Sequence, residues 1–173
     1  RFSEGLLKTL IEDGPLTFND NTNIEARKNF MWSATSALNG LIGVGVSQDW
    51  STHMIGHEMT AMFGIAHGRT LAIILPSLLR ERKAHKHDKL VQFAERVWDI
   101  TTGTDDEKIN AAIDKTEHFF NSLGIVTCLS HYGIDDEGIN TLVANMEKMG
   151  LTRLSETGDL TLDIVHKILT AAK

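Results

Sequence analysis

The stretch Asp49-Trp50-Ser51-Thr52-His53-Met54-Ile55-Gly56-His57-Glu58-Met59-Thr60-Ala61-Met62-Phe63-Gly64-Ile65-Ala66-His67-Gly68 holds three of the eight histidines in a chain of 173 residues. Histidine is the commonest metal ligand among side chains, and it titrates near neutral pH. Three imidazoles among apolar neighbours therefore mark a candidate site. Trp50 to Phe63 has helical spacing and places His53 and His57, four residues apart, on one face. Spacing alone picks that pair as a chelate. On a straight helix the rise from His53 to His67 is roughly 21 Å, at about 1.5 Å per residue, which no single ion spans. If His53 and His67 share a metal, the chain bends between them, and Gly64 is the breaker. The zinc-protease motif His-Glu-x-x-His is excluded, because Ala61 stands where its second histidine belongs.

Working outward from this stretch, nearly every segment has helical periodicity. Phe2, Leu6, Leu7, Leu10 and Ile11 recur at three and four residues, and Gly14-Pro15 is expected to stop that helix. A second helix is expected from about Ile24 to Asn39. The glycines of Leu41-Ile42-Gly43-Val44-Gly45-Val46 fit close backbone packing better than a strand. A fourth helix opens near His67, and Pro76 is expected to kink or split it. The polar run Arg80 to Lys89 reads as a solvated surface. Thr104-Asp105-Asp106-Glu107 has the form of a capping box and opens a helix that ends near Leu123. Further helices are expected at about Leu90 to Ile100, Asp136 to Met149 and Leu162 to Ala172. Alternation of the kind strands need is nowhere sustained, so the expected fold class is all-α, with roughly seven to nine helices.

Composition sets the outer bounds. Apolar residues make up 42% and charged residues 23%, a globular balance with a core for one domain or a large piece of one. The net charge of −6 argues against a nucleic-acid partner, since phosphate binding needs a basic face. No apolar run reaches the length of about 18 residues that a membrane helix requires, so no membrane partner is expected. A single cysteine, Cys128, cannot form an internal disulfide and fits a cytoplasmic location. The first residue is Arg1, already inside a helical pattern, which suggests a start further upstream.

Other residues offer rival chemistry. Helical HD-type metal phosphohydrolases use a histidine, a His-Asp pair and a later aspartate, an order that His53, His87-Asp88 and Asp135 or Asp159 could imitate. His87-Asp88, however, lies inside the polar run. Asp49 with His53 and Asp114 with His118 repeat Asp-x-x-x-His. Asp114 and His118 read as surface residues, and Asp49 as a helix cap. There is no glycine-rich phosphate loop and no nucleophile elbow, so no nucleotide site is expected within these residues. A non-catalytic helical interaction module, in which the histidines only pack, is the remaining alternative.

The sequence resembles the C-terminal helical domain of the iron-containing (group III) alcohol dehydrogenases, in the branch of butanol dehydrogenases and NADPH-dependent aldehyde reductases. The resembling residues are Phe30-Met31-Trp32, Ala37-Leu38-Asn39-Gly40, Asp49-Trp50 and Thr52-His53-Met54-Ile55-Gly56-His57-Glu58. They continue through His67, Thr70-Leu71-Ala72-Ile73, Pro76 and Ala94-Glu95-Arg96-Val97-Trp98. The resemblance covers essentially the whole chain. It implies the C-terminal, metal-binding part of a dehydroquinate synthase-like fold over residues 1–173, with the α/β nucleotide-binding domain N-terminal and outside this chain. By the same resemblance, His53 and His67 are metal ligands and His57 lines the active site with a proton-relay role, which displaces the pair that spacing picks. Two further ligands, an aspartate and a histidine one helical turn apart, are implied from a helix just upstream. The implied metal is Fe²⁺, with Zn²⁺ or Ni²⁺ as alternatives. The implied cofactor is NADPH or NADH, and the implied substrates are small aliphatic aldehydes or alcohols. The intact enzyme is implied to be a homodimer.

Overall fold

The computed structural model describes residues 1–173, which form eight α-helices. They are α1 (Phe2–Asn19), α2 (Ile24–Leu38), α3 (Ser51–Phe63), α4 (His67–Glu81), α5 (His87–Arg96), α6 (Asp105–Ser122), α7 (Asp136–Lys148) and α8 (Leu162–Ala171). Two short 3₁₀ turns lie at Leu41–Gly43 and Leu129–Tyr132. The only extended pairing is a two-residue antiparallel ladder of β1 (Arg153–Leu154) and β2 (Leu160–Thr161), with Leu154 opposite Leu160. No helix is long and apolar enough to cross a membrane.

The chain divides into two compact units. The first comprises 1–47 and 87–123, the second 48–86 and 124–173. In the second unit Ile55 and Met59 of α3, Ile73, Ile74 and Leu78 of α4, Ile139, Leu142 and Met146 of α7, and Val165, Ile168 and Leu169 of α8 form one buried cluster. In the first unit the buried apolar residues are Ala26, Leu90, Ala94, Val97, Ile109, Ala112 and Ile113. The capping box on α6 forms as the sequence indicates: the Glu107 backbone N–H donates to Thr104 Oγ1, and the Thr104 backbone N–H donates to Glu107 Oε2 at 2.7 Å.

Three expectations are corrected. α1 runs straight through Gly14-Pro15 to Asn19. Pro15 cannot donate to the preceding turn, but the helix resumes beyond it, with Asp20 N–H donating to Leu16 O at 3.0 Å. Gly14 is buried against the Phe119 ring, which holds this stretch in place. α4 is likewise not split at Pro76, and runs on to Glu81 with Ile74, Pro76 and Ser77 buried. The run Arg80 to Lys89 is not a uniformly solvated surface. Arg82 is 3% exposed and makes two 2.7 Å hydrogen bonds from Nη2 to Asp159. Its charge is matched by a residue 77 positions away that local reading cannot pair.

Asp159 also accepts from Ser155 and Thr157. Arg82 first, then these two hydroxyls, hold its carboxyl far below the ordinary range. A carboxyl depressed in this way contributes stability that is present above its unfolded value and is lost as pH falls towards its folded value. Asp159→Asn should therefore lower the melting temperature at neutral pH, because it leaves a buried guanidinium with a weaker partner. Calorimetry from about pH 5 downward should show a shallower acid loss in the variant than in the parent, since this titration is removed. Parallel acid profiles would contradict the assignment.

Candidate metal centre

His53 and His57 lie one turn apart on α3, and α3 ends where Gly64 takes the left-handed conformation at φ 69°. A non-glycine residue there costs roughly 1–2 kcal/mol, which is why glycine makes the turn. Gly64-Ile65-Ala66 then carries the chain back so that α4 crosses α3. The crossing is close. A Cβ on Gly56 would lie 2.8 Å from Thr70 Oγ1 and 3.1 Å from Leu71 Cδ2. The Thr70 hydroxyl that occupies this space donates to the His67 carbonyl at 2.8 Å, so the crossing point is tied to the residue that opens α4.

The three imidazoles meet as a result. His67 Nε2 lies 3.3 Å from His53 Nδ1, and the His57 ring stacks on His67 with centroids 4.4 Å apart. One ring nitrogen from each histidine falls within 4.8 Å of the others, the one such grouping of three or more His, Cys, Asp and Glu side chains in the structure. His53 and His67 are half-buried and His57 is exposed. The Trp50 indole meets the His53 ring edge-on at 5.1 Å. The donor set suits a divalent ion. Two ligand nitrogens each about 2.0–2.1 Å from one ion at a tetrahedral angle stand about 3.3–3.4 Å apart, matching the observed separation of His53 and His67. Burial, then the neighbouring His67 and His57, pushes the His53 imidazole below its ordinary value of 6.5. It is therefore neutral, with a lone pair available, at neutral pH. His67 Nδ1 is buried without a hydrogen-bond partner.

Asp49 does not face His53. It lies one residue before the N-cap of α3, where its carboxylate accepts from the Ser51 backbone N–H at 2.8 Å and pairs with Lys86 Nζ, also at 2.8 Å. Burial opposes its ionisation, but Lys86 and Ser51 outweigh this and hold Asp49 below its ordinary value. Lys86 pairs in addition with Glu156 at 3.0 Å. The strap that fixes the start of α3 thus uses a lysine from the polar run, for which no sequence signal exists.

The rival residues are engaged elsewhere or exposed. Asp135 caps α7 by accepting from Gly138 N–H, and Asp159 is bound by Arg82. Asp88 is 94% exposed, and Asp114 and His118 are exposed. None of them joins the histidine cluster.

The chain belongs to the Fe-containing alcohol dehydrogenase family, whose C-terminal model matches residues 1–172. It is 54% identical over its whole length to the NADPH-dependent aldehyde reductase YqhD of Escherichia coli (strain K12), of which it covers 45%. Superposed on the substrate- and cofactor-free structure of that reductase, it gives a TM-score of 0.98 over the entire chain and 46% of the other. It is 38% identical, over 82% of its length, to a probable NADH-dependent butanol dehydrogenase of Bacillus subtilis (strain 168), covering 37% of that protein. The structure of NADH-dependent butanol dehydrogenase A from Thermotoga maritima aligns with 98% of the chain at 29% identity and a TM-score of 0.89, with 44% of that protein covered. The chain thus spans about half the length of these proteins.

Gly56→Ala should force α4 away from α3 at Thr70, at a cost of roughly 1–3 kcal/mol for overpacking. In the intact protein, metal content per chain should fall in this variant, while Gly68→Ala, which meets open space, should leave it unchanged. Elemental analysis after gel filtration checks both.

Proposed function

We propose that this chain is the metal-binding half of an NAD(P)-dependent alcohol dehydrogenase or aldehyde reductase, with His53 and His67 as metal ligands and His57 as the proton relay. The observation that carries the reading is the convergence of three imidazoles, with His53 and His67 nitrogens 3.3 Å apart. Membership of the family and 54% identity to an NADPH-dependent aldehyde reductase support the reaction class. Fe²⁺ is the proposed metal. A set of imidazoles with a carboxylate also suits Zn²⁺ and Ni²⁺, so availability decides which is bound.

When bound, the ion supplies Lewis-acid polarisation of an aldehyde carbonyl or stabilisation of an alkoxide. His53 and His67 would hold it from two helices that meet at the Gly56–Thr70 crossing. His57, stacked on His67 but exposed, reaches solvent and can exchange a proton with an alcohol oxygen through water. The remaining ligands and the nicotinamide site are proposed to come from the part of the enzyme upstream of Arg1. Hydride transfer requires the nicotinamide in register with the carbonyl carbon, a positioning these residues do not supply alone.

Two measurements test this. In the intact protein, His53→Ala and His67→Ala should each abolish stoichiometric metal. His57→Ala should keep the metal, lower kcat and alter the pH dependence of turnover. Loss of metal in His57→Ala would make His57 a ligand instead. Separately, residues 1–173 alone, supplied with metal and NADPH, should leave the cofactor's absorbance unchanged with butanal. Steady metal-dependent consumption would show that the site is complete without an upstream half.

A further inference from the structure

The start of α3 is held from a distance. The first turn of a helix exposes N–H groups that no residue of the helix itself satisfies. Trp50, the N-cap residue, makes no side-chain capping bond. Asp49 serves the turn instead: its Oδ1 accepts from the Ser51 backbone N–H at 2.8 Å and from the Ser51 hydroxyl. His53 is the third residue of this helix, and the Trp50 indole meets its ring edge-on. How firmly Asp49 is held therefore bears on where that ring points.

Packing alone does not hold it. A cavity of about 140 Å³ is lined by Trp50, Ser51 and Met54 at the head of α3 and by Leu154 and Ser155 at the end of β1. Lys86 reaches both sides, with Nζ 2.8 Å from Asp49 Oδ2 and 3.0 Å from Glu156 Oε1. The Lys86 and Asp49 side chains are only 17% and 18% exposed, so this is not an ordinary surface pair. Burial opposes the charge on Lys86, but the two carboxylates outweigh it and hold the ammonium above its ordinary value of 10.5. The far anchor is stiff. Ser155 takes the left-handed conformation at φ 76°, which its Cβ disfavours. Its Oγ donates to Asp159 at 2.6 Å and accepts from the Thr157 N–H at 3.3 Å, while Arg82 at the end of α4 binds Asp159. All of these residues lie in the second unit.

We propose that Lys86 is a positioning residue of the metal centre: by holding Asp49 against the head of α3, it fixes Trp50 and turns the His53 ring toward His67. Removing the ammonium leaves Asp49 and Glu156 as neighbouring carboxylates that repel, and it frees the turn that carries His53. The inference rests on the reading of His53 as a metal ligand.

The test uses the intact protein with Lys86→Met, Lys86→Arg and, as a control, Lys108→Met. Lys108 is 13% exposed and also pairs with two carboxylates, Glu95 and Asp105, but it ties α5 to α6 in the first unit. In the metal-free proteins, amide hydrogen exchange over residues 51–54 should quicken several-fold in Lys86→Met and stay unchanged in Lys108→Met. Zn²⁺ affinity, measured by competition with a chelator well below the melting temperature, should fall about tenfold in Lys86→Met and recover in Lys86→Arg. Unchanged exchange over 51–54, or unchanged Zn²⁺ affinity despite faster exchange, would overturn the proposal. So would an equal loss of affinity in Lys108→Met or Lys86→Arg, since both keep a positive charge beside Asp49. His53→Ala reports on the metal reading separately: that reading fails if the variant keeps stoichiometric Zn²⁺, whereas exchange over 51–54 is measured without metal.

Discussion

The crossing of α4 over α3 at Gly56 is the constraint on which the rest of the second unit depends. Helix pairs separated by ordinary side chains lie 8–10 Å apart. A Cβ at Gly56 would already collide with the Thr70 hydroxyl and crowd Leu71, so the side chains of α4 pack directly onto the bare Cα of α3. Thr70 lies one turn after His67, which places the opening residue of α4 over the face that carries His53 and His57. The left-handed turn at Gly64 makes the return possible, and the missing side chain at Gly56 sets how close it comes. The imidazole cluster is the geometric product of two glycines with different tasks.

Around this crossing, long-range ion pairs fix the ends of the helices. Lys86, just beyond α4, joins Asp49 at the start of α3 to Glu156 in the turn between β1 and β2. Arg82, almost fully buried, joins the end of α4 to Asp159 in the same turn. Exposed pairs contribute little to stability. These are partly or largely desolvated, so removing one partner strands a charge, and their main effect is to fix where the elements meet. Asn145 on α7 adds a further tie by donating to Glu58 of α3 at 2.7 Å.

Periodicity made the helices legible, because apolar spacing of three and four residues is a local property. The capping box at Thr104 and the turn at Gly64 were readable for the same reason. Local rules failed where tertiary packing overrides them. Gly14-Pro15 has every mark of a helix stop, yet burial against Phe119 and a hydrogen bond across the next turn carry α1 onward. The run Arg80 to Lys89 looked solvated because a charge shows nothing of a partner some 70 residues away, as Arg82 and Lys86 prove. For the histidines, spacing favoured His53 with His57, and only the resemblance pointed to His67. Nothing in a one-dimensional pattern says that α4 folds back far enough to bring a residue ten positions on into contact.

The placement of the cluster on α3 separates chemistry from folding. Ile55 and Met59 point into the core with no exposed surface, while His53 and His57 occupy the opposite side of the same helix. The core of the second unit is therefore built without the histidines, from aliphatic side chains and methionines alone. An imidazole placed this way can be removed without removing a core residue from the helix that presents it. The first unit has the opposite economy: small residues inward, large apolar residues outward, and a thin core. The second unit thus presents the imidazole cluster on a core that it forms by itself, whereas the first turns its large apolar side chains outward, so the histidines and the exposed apolar surface belong to different parts of the chain.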